Sequence, residues 1–268
     1  STHPFSSQMV SYLRKKQKIF CKLVTVLTDY APHDQWLLGH EYTDAFCVSN
    51  ENMKEEIIKF GVEPKKVHVT GIPLSSRFFE KFDKNTIYSE FNLDINKPVV
   101  LFFGGGEFGL GKDRTLEVLE SIINNLSSYQ IIAISGKNKK MNQSFHELID
   151  KLDVLDRVKI LEYTNKVPEL MSISSLVVTK PGGLTTSESL VSGLPILIIN
   201  PIPGQEEENA EFLEKNHVAV WLKKNENPNK VIHKLFKDPK TLDSMRESTK
   251  KLAKRNSTQD ICNICLLY

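Results

Sequence analysis

The stretch 180–209, KPGGLTTSESLVSGLPILIINPIPGQEEEN, sets a glycine turn, a helix start and a run of polar side chains around one strand edge. Residues 176–179 are apolar and read as a buried strand. Pro181-Gly182-Gly183 breaks it, and Thr185, Thr186 and Glu188 open a helix that continues through Leu190. A helix that begins at a glycine turn offers unpaired backbone N–H groups and the positive end of its dipole. Gly182, Gly183 and Thr185 would therefore hold a diphosphate without any lysine. Glu188, one turn in, is placed to hold a ribose diol. After Gly193 and a second strand at 196–199, the loop 201–204 delivers Gln205, Glu206 and Asn209, whose amides and carboxylate match the hydroxyls of a hexose. That set of groups is what a sugar nucleotide requires. The plainer reading of the same residues is a capped helix with a solvated acidic face.

Residues 104–109, GGGEFG, match Gly-x-Gly-x-x-Gly directly after an apolar run at 99–103, the opening of a dinucleotide site. That fingerprint also needs an acidic residue about 20 positions on, at the end of the next strand. Here Ile134 leads instead into Ser135-Gly136-Lys137-Asn138, with no carboxylate for an adenosine ribose. NAD is not expected, and Gly105, Gly106 and Gly136 remain as places where backbone can approach a phosphate or sugar.

The loop 28–36, TDYAPHDQW, follows another apolar run and holds a carboxylate, an imidazole and an indole together. Loops at the C-terminal ends of strands are where α/β sheets bind ligands. Asp29 with His33 is the candidate catalytic pair, able to orient or deprotonate a hydroxyl. Trp36 and His3 are candidates for lining the acceptor side. A histidine on a loop is otherwise simply a surface residue. The sequence has no HExxH, Walker A or GxSxG pattern and no carboxylate-rich loop for calcium or magnesium, so neither a metal nor a cofactor is expected. Cys21, Cys47, Cys262 and Cys265 do not make a disulfide framework in a chain this long, which points to a reducing cytoplasm.

The elements that must position these residues follow from periodicity. From 97 onward, strands at 99–103, 130–134 and 158–161 alternate with helices from about 113 and 142, the signature of an α/β parallel sheet covered on both faces. Upstream, strands at 22–28, 45–48 and 67–70 with a helix at 51–60 form a second, partial α/β unit. The expected organisation is a partial acceptor domain at 1–81, a polar linker at 82–96, and a donor domain at 97–268 closed by helices near 228–236 and 241–254. Ser1-Thr2-His3-Pro4 reads as the end of a strand running into a helix, and three strands are few for a sheet. The first domain is accordingly expected to be truncated at its N-terminus.

With 268 residues, 40% of them hydrophobic, and a net charge of +2, the chain reads as a soluble protein of one large or two ordinary domains and not as a nucleic-acid binder. No apolar stretch approaches the roughly 20 residues that span a bilayer. Arg14, Lys15, Lys16 and Lys18 lie beside Met9, Val10, Tyr12 and Leu13. A helix of that composition would touch an anionic membrane, or equally be a solvated helix end.

These motifs together resemble the glycosyltransferases of the monogalactosyldiacylglycerol synthase and processive diacylglycerol glucosyltransferase type (glycosyltransferase family 28). The resemblance is carried by THPF (2–5), TDYAPHDQW (28–36), TGIPLSSRF (70–78), FGGGEFGLGK (103–112), KPGGLTTSESL (180–190) and PGQEEENA (203–210). More distantly, the chain is similar to the transferase that adds N-acetylglucosamine to lipid-linked peptidoglycan precursors. The resemblance implies a GT-B fold, two Rossmann-like domains facing across a cleft, and an inverting, metal-free transfer of hexose from UDP-glucose or UDP-galactose to a diacylglycerol-type lipid. It implies Glu188 on the ribose, Gly182, Gly183 and Thr185 on the diphosphate, Gln205, Glu206 and Asn209 on the hexose, and uracil near Tyr163 and Thr164. It also implies work at the inner face of the membrane, bound peripherally. In that family the general base belongs to a glycine-rich loop, here expected upstream of Ser1, and an arginine is common where this chain has Ser75, leaving Arg77 as a displaced phosphate partner. The rival readings are a UDP-sugar epimerase or hydrolase on the same fold, and a non-catalytic sugar-nucleotide sensor.

Overall fold

A computed structural model describes residues 1–105 and 111–268. The chain enters α1 (Pro4–Lys15) through His3, whose Nδ1 accepts the Phe5 N–H, with proline in the first turn where its missing N–H costs nothing. Three short strands, β1 (Val24–Val26), β2 (Ala45–Val48) and β3 (Val67–Val69), make a parallel sheet in the order β1-β2-β3. The Ser1 carbonyl accepts the Val26 N–H at 2.8 Å, so the first residue lies beside β1. β2 is apolar along its length and buried on both faces. On one face α2 (Glu51–Lys59), capped by Asn50, packs Met53 and Ile57 against Leu27, Phe46 and Val48.

The second sheet has six parallel strands: β4 (Val99–Phe103), β5 (Gln130–Gly136), β6 (Val158–Glu162), β7 (Ser174–Thr179), β8 (Ile196–Ile198) and β9 (Ala219–Trp221). Their order is β6-β5-β4-β7-β8-β9. Alternation along each strand feeds two cores. Val100, Phe102, Ile131, Val178 and Leu197 meet α4 (Lys112–Asn125), α5 (Lys139–Leu152), α9 (Pro228–Lys237) and α10 (Pro239–Leu252). Leu101, Ile132, Val177 and Ile198 face α3 (Lys84–Glu90), α6 (Val167–Ile173), α7 (Gly183–Val191) and α8 (Gln205–Lys215). Strands covered on both faces must be apolar throughout, which is why they read as continuous runs. The order reverses between β4 and β7, and the crevice outside such a switch point is where α/β sheets take ligands.

Two organisational expectations need correction. The segment 82–96 contains α3, whose Ile87 and Tyr88 are buried in the second core; its remaining polar residues face solvent and hid it. The C-terminal residues do not stay with the second domain. After α10 the chain crosses back, and α11 (Ser257–Leu266) lays Ile261 on Val26 and Cys47 of the first sheet. The Thr258 hydroxyl accepts the Leu74 N–H at 3.1 Å and lies 3.0 Å from the Leu74 carbonyl. Gly71, at φ +84°, lets this crossing pass, since a Cβ there would stand 2.5 Å from Lys254 Cβ.

Candidate active site

The C-terminal edges of the two sheets face each other, and they approach closely at the start of α7. A Cβ on Gly183 would lie 1.8 Å from the Thr28 carbonyl oxygen, so only glycine allows this helix to meet the exit of β1. Thr186 N–H is the first in α7 to find a helical partner, the Gly182 carbonyl at 3.0 Å. The N–H groups of Gly183, Leu184 and Thr185 precede it and donate to no described residue. They border a cavity of about 590 Å³ whose walls come from both domains. Of the residues the sequence singles out, Asp29, Gly182, Gly183, Thr185, Gln205, Glu206 and Asn209 line it.

Asp29 is 3% exposed and both its oxygens are engaged. Oδ2 accepts the Trp36 indole N–H at 2.9 Å and Oδ1 accepts the Gln205 amide. His33 Nε2 stands 3.9 Å from Oδ2, beyond hydrogen-bond reach, so the two do not form the expected acid–base dyad. Trp36 is 2% exposed, in the core of the first domain, and does not line the acceptor side. The short helical turn Asp34–Trp36 rolls the indole inward, where only the N–H touches the cavity wall, through Asp29. His3 is exposed and is occupied in capping α1.

Gln205 and Glu206 are not on a loop but in the first turn of α8, after Gly204 at φ +86°. Glu206 Oε2 accepts the Ile202 N–H at 2.6 Å. Burial raises its pKa and Asp29 adds to this, while the Ile202 N–H and the Lys180 charge oppose it. Asn209 departs from its expected place on a hexose. It is fully buried; Oδ1 accepts the N–H groups of Tyr30 (2.7 Å) and Ala31 (3.1 Å), and Nδ2 donates to the Pro181 carbonyl at 3.1 Å. Its amide ties the first domain to the PGG turn. Tyr30 makes a second tie that the sequence did not disclose, its buried hydroxyl 2.8 Å from Ser187 Oγ, with burial holding the phenol well above its usual pKa. Arg77 makes a third: it pairs with Glu169 and donates to the Asn165 carbonyl at 2.6 Å, which removes it as a phosphate partner.

Lys180, at the end of β7, was also missed. Its Cε lies 3.8 Å from where a Gly105 Cβ would be, and its ammonium makes no ion pair with a described residue. A cation thus stands next to the glycine turn that opens α7; the signal was a lysine directly before Pro-Gly-Gly at a strand end. Gly106 lies outside the described residues. Gly136 (φ +61°) ends β5, and a Cβ there would meet nothing within 4 Å. Tyr163 is 71% exposed just past β6, with Lys137 Nζ 5.8 Å from its ring; beside it Thr164 Oγ1 accepts the Lys166 N–H. Glu188, within α7 and outside the cavity lining, is half-buried, and its side chain makes no hydrogen bond or ion pair with a described residue. Burial pushes its carboxyl up to about 7. From β6 through β5, β4 and β7 to α8, the sheet edge thus offers an aromatic shelf, open glycines, a cation with free N–H donors, and an amide-carboxylate pair.

The model for monogalactosyldiacylglycerol (MGDG) synthase matches residues 1–74, and that for glycosyl transferases group 1 matches residues 83–252. The chain belongs to the glycosyl transferases of group 1. The processive diacylglycerol β-glucosyltransferase of Bacillus subtilis is 33% identical over 236 residues, 88% of this chain and 60% of that protein. That of Bacillus pumilus is 32% identical over 257 residues, 96% of this chain and 65% of its own length, so the chain spans less than two thirds of these relatives. Among solved structures, the Staphylococcus aureus MnaA–UDP co-structure superposes with a TM-score of 0.72 at 16% identity, over 97% of this chain and 71% of the other. Acinetobacter baumannii MurG gives 0.70 at 15% identity over 100% and 73%. Such identities speak for the fold alone, and the fold is the GT-B arrangement of two facing α/β domains.

Proposed function

We propose that this chain carries the donor site and part of the acceptor domain of an inverting transferase that moves a hexose from a UDP-sugar to a diacylglycerol-type lipid, without a bound metal. The observation that carries the reading is the start of α7: three N–H groups without described partners, at the positive end of a helix, facing a two-domain cavity beside Lys180, which pairs with no described residue. Negative charge grows on the diphosphate as the glycosidic bond breaks, and donors already aimed at it stabilise the transition state without reorganising. Tyr163 offers its face to the base and Glu188 a carboxylate to the ribose, with Gln205 and Glu206 at the hexose. The relatives' common name, diacylglycerol glucosyltransferase, favours transfer over epimerisation or sensing.

The membrane side of the proposal rests on α1. It buries Ser7 and Ser11 against the domain and turns Phe5 (65% exposed), Met9 (59%) and Tyr12 (54%) outward along one stripe, near exposed Lys15, Lys16 and Lys18. An amphipathic helix that presents its rings to solvent and its serines to the core suits a lipid surface. Arg14, grouped with those lysines by sequence, instead turns inward to Asp44 and the Tyr42 carbonyl. No helix among the described residues is long and apolar enough to cross a membrane. The test is to incubate the full-length protein with UDP-glucose or UDP-galactose and diacylglycerol vesicles. Glycolipid formation is expected; release of free hexose alone would identify a hydrolase, and UDP-sugar binding without turnover a sensor.

A further inference from the structure

Asp29 and Gln205 belong to opposite domains, 176 residues apart, and meet side chain to side chain at the cavity wall. An indole nitrogen can only donate, so Trp36 fixes Asp29 Oδ2 as an acceptor. The other oxygen, Oδ1, faces the Gln205 amide, and a carboxylate oxygen there requires the amide's N–H₂ end. The amide is therefore not free to rotate end for end. Its Oε1 takes no hydrogen bond from a described residue.

We infer that Asp29 is a positioning residue for donor-sugar recognition: it holds the Gln205 amide so that Oε1 is presented to the cavity as an acceptor for a hexose hydroxyl. This rests on the cavity holding the hexose of a nucleotide sugar, as proposed above. It also gives a use to a buried carboxylate whose two oxygens are held by the Trp36 indole and the Gln205 amide. An asparagine at position 29 would have to keep its oxygen on the Trp36 N–H and turn its own N–H₂ toward Gln205. The Gln205 amide would then rotate, giving Oε1 to that asparagine and presenting Nε2 to the sugar. The polarity of the sugar contact would then be set by Asp29 through the Gln205 amide.

The test is a pair of exchanges in the full-length protein, with UDP and UDP-hexose binding measured by calorimetry. Asp29→Asn is expected to leave UDP affinity within about twofold, because UDP lacks the hexose, while UDP-hexose binding weakens about tenfold, as loss of one well-placed hydrogen bond implies. KM for UDP-hexose rises in parallel, with kcat little changed. Gln205→Glu alone sets two carboxylates against each other and weakens UDP-hexose by at least as much. Asp29→Asn with Gln205→Glu restores the pattern, since the introduced carboxylate accepts from the introduced amide and offers its second oxygen to the sugar; affinity within about threefold of wild type is expected. Rescue at position 205 is something a purely structural Asp29 would not allow. The inference is overturned if Asp29→Asn binds UDP-hexose like wild type, if the double variant is no better than the single ones, or if Asp29→Asn loses UDP binding as well. Failure of the wild type to bind UDP at all would instead remove the nucleotide-sugar reading on which it rests.

Discussion

Replacing Asn209 by leucine separates two roles for this residue, hexose ligand and domain tie, because only the second is felt when no substrate is present. Leucine has nearly the same volume but offers no polar atoms. It would leave the Tyr30 and Ala31 N–H groups and the Pro181 carbonyl unpaired in a site where Asn209 itself has no exposure. Each stranded buried group costs about 1–3 kcal/mol. With three affected, and water entering as the domains part, a loss of roughly 4 kcal/mol is expected. At an m-value of about 3 kcal/mol/M for a chain of this size, the urea midpoint falls by roughly 1.3 M. Asn209→Asp keeps the acceptor for both N–H groups and loses only the donor to Pro181, so it should fall between leucine and wild type. The chain's two tryptophans report on opposite domains, Trp36 after β1 and Trp221 in β9. Fluorescence and far-UV dichroism should coincide in wild type and separate in the leucine variant as the domains uncouple. A leucine variant that unfolds at the wild-type midpoint, yet fails to bind UDP-hexose, would refute the tie and return Asn209 to the sugar.

Glu188 sets a pH dependence. Its folded pKa of about 7 lies above the ordinary 4.5, so the folded form holds the proton more tightly, and stability falls as pH rises from 4.5 to 7 and is level above that. The loss is on the order of 2 kcal/mol once partial exposure is allowed for, and Glu188→Gln should abolish the slope in urea melts at pH 5 and 7.5. UDP-hexose carries no phosphate proton to lose in this range, so its affinity should rise with pH through 7 in wild type and stay flat in Glu188→Gln. Gly183→Ala must push the Thr28 carbonyl away and should cost about 1–3 kcal/mol, whereas Gly182→Ala, with 3.8 Å to Glu206 Oε1, should be tolerated; equal thermal shifts would contradict this packing. Lys180→Met should weaken UDP binding about tenfold or more by calorimetry, as expected for a charged contact to phosphate. Vesicle flotation should show binding to anionic lipid that declines with salt and with Met9→Ser/Tyr12→Ser, and equal binding by that variant would remove α1 from the membrane side.

Much of the frame was legible because parallel strands buried on both faces are written as unbroken apolar runs. The bounds of β2 and β4 coincide with those read from the sequence. What the chain does not spell out is which way a side chain turns once two domains meet. Trp36 sits beside Asp29 and His33 in sequence and reads as part of a cleft, yet a single turn of helix buries it. The acidic run after Pro203 reads as solvated loop, but Gly204 in a positive-φ conformation starts α8 there, and Glu206 and Glu207 suit the positive end of a helix. Asn209 has the chemistry of a sugar ligand, and only the arrival of residues 30 and 31 from the other domain decides how its amide is used.

The contacts that close the cleft are built from the same short segments that line the cavity. The PGG turn carries N–H groups without described partners and, through Gly183, also meets Thr28; Gln205 lines the cavity and also holds Asp29; Asn209 lines it and also holds Tyr30 and Ala31. Arg77 with Glu169 joins the domains through residues outside the lining of this cavity. A ligand that binds between α7 and α8 would therefore act on the contacts that line the cavity and leave the Arg77–Glu169 pair in place. By linkage, whatever free energy the closed arrangement adds to donor binding, donor binding returns to closure. On the function proposed above, such coupling would favour transfer to the lipid, because a donor held in a closed cleft is shielded from transfer to water.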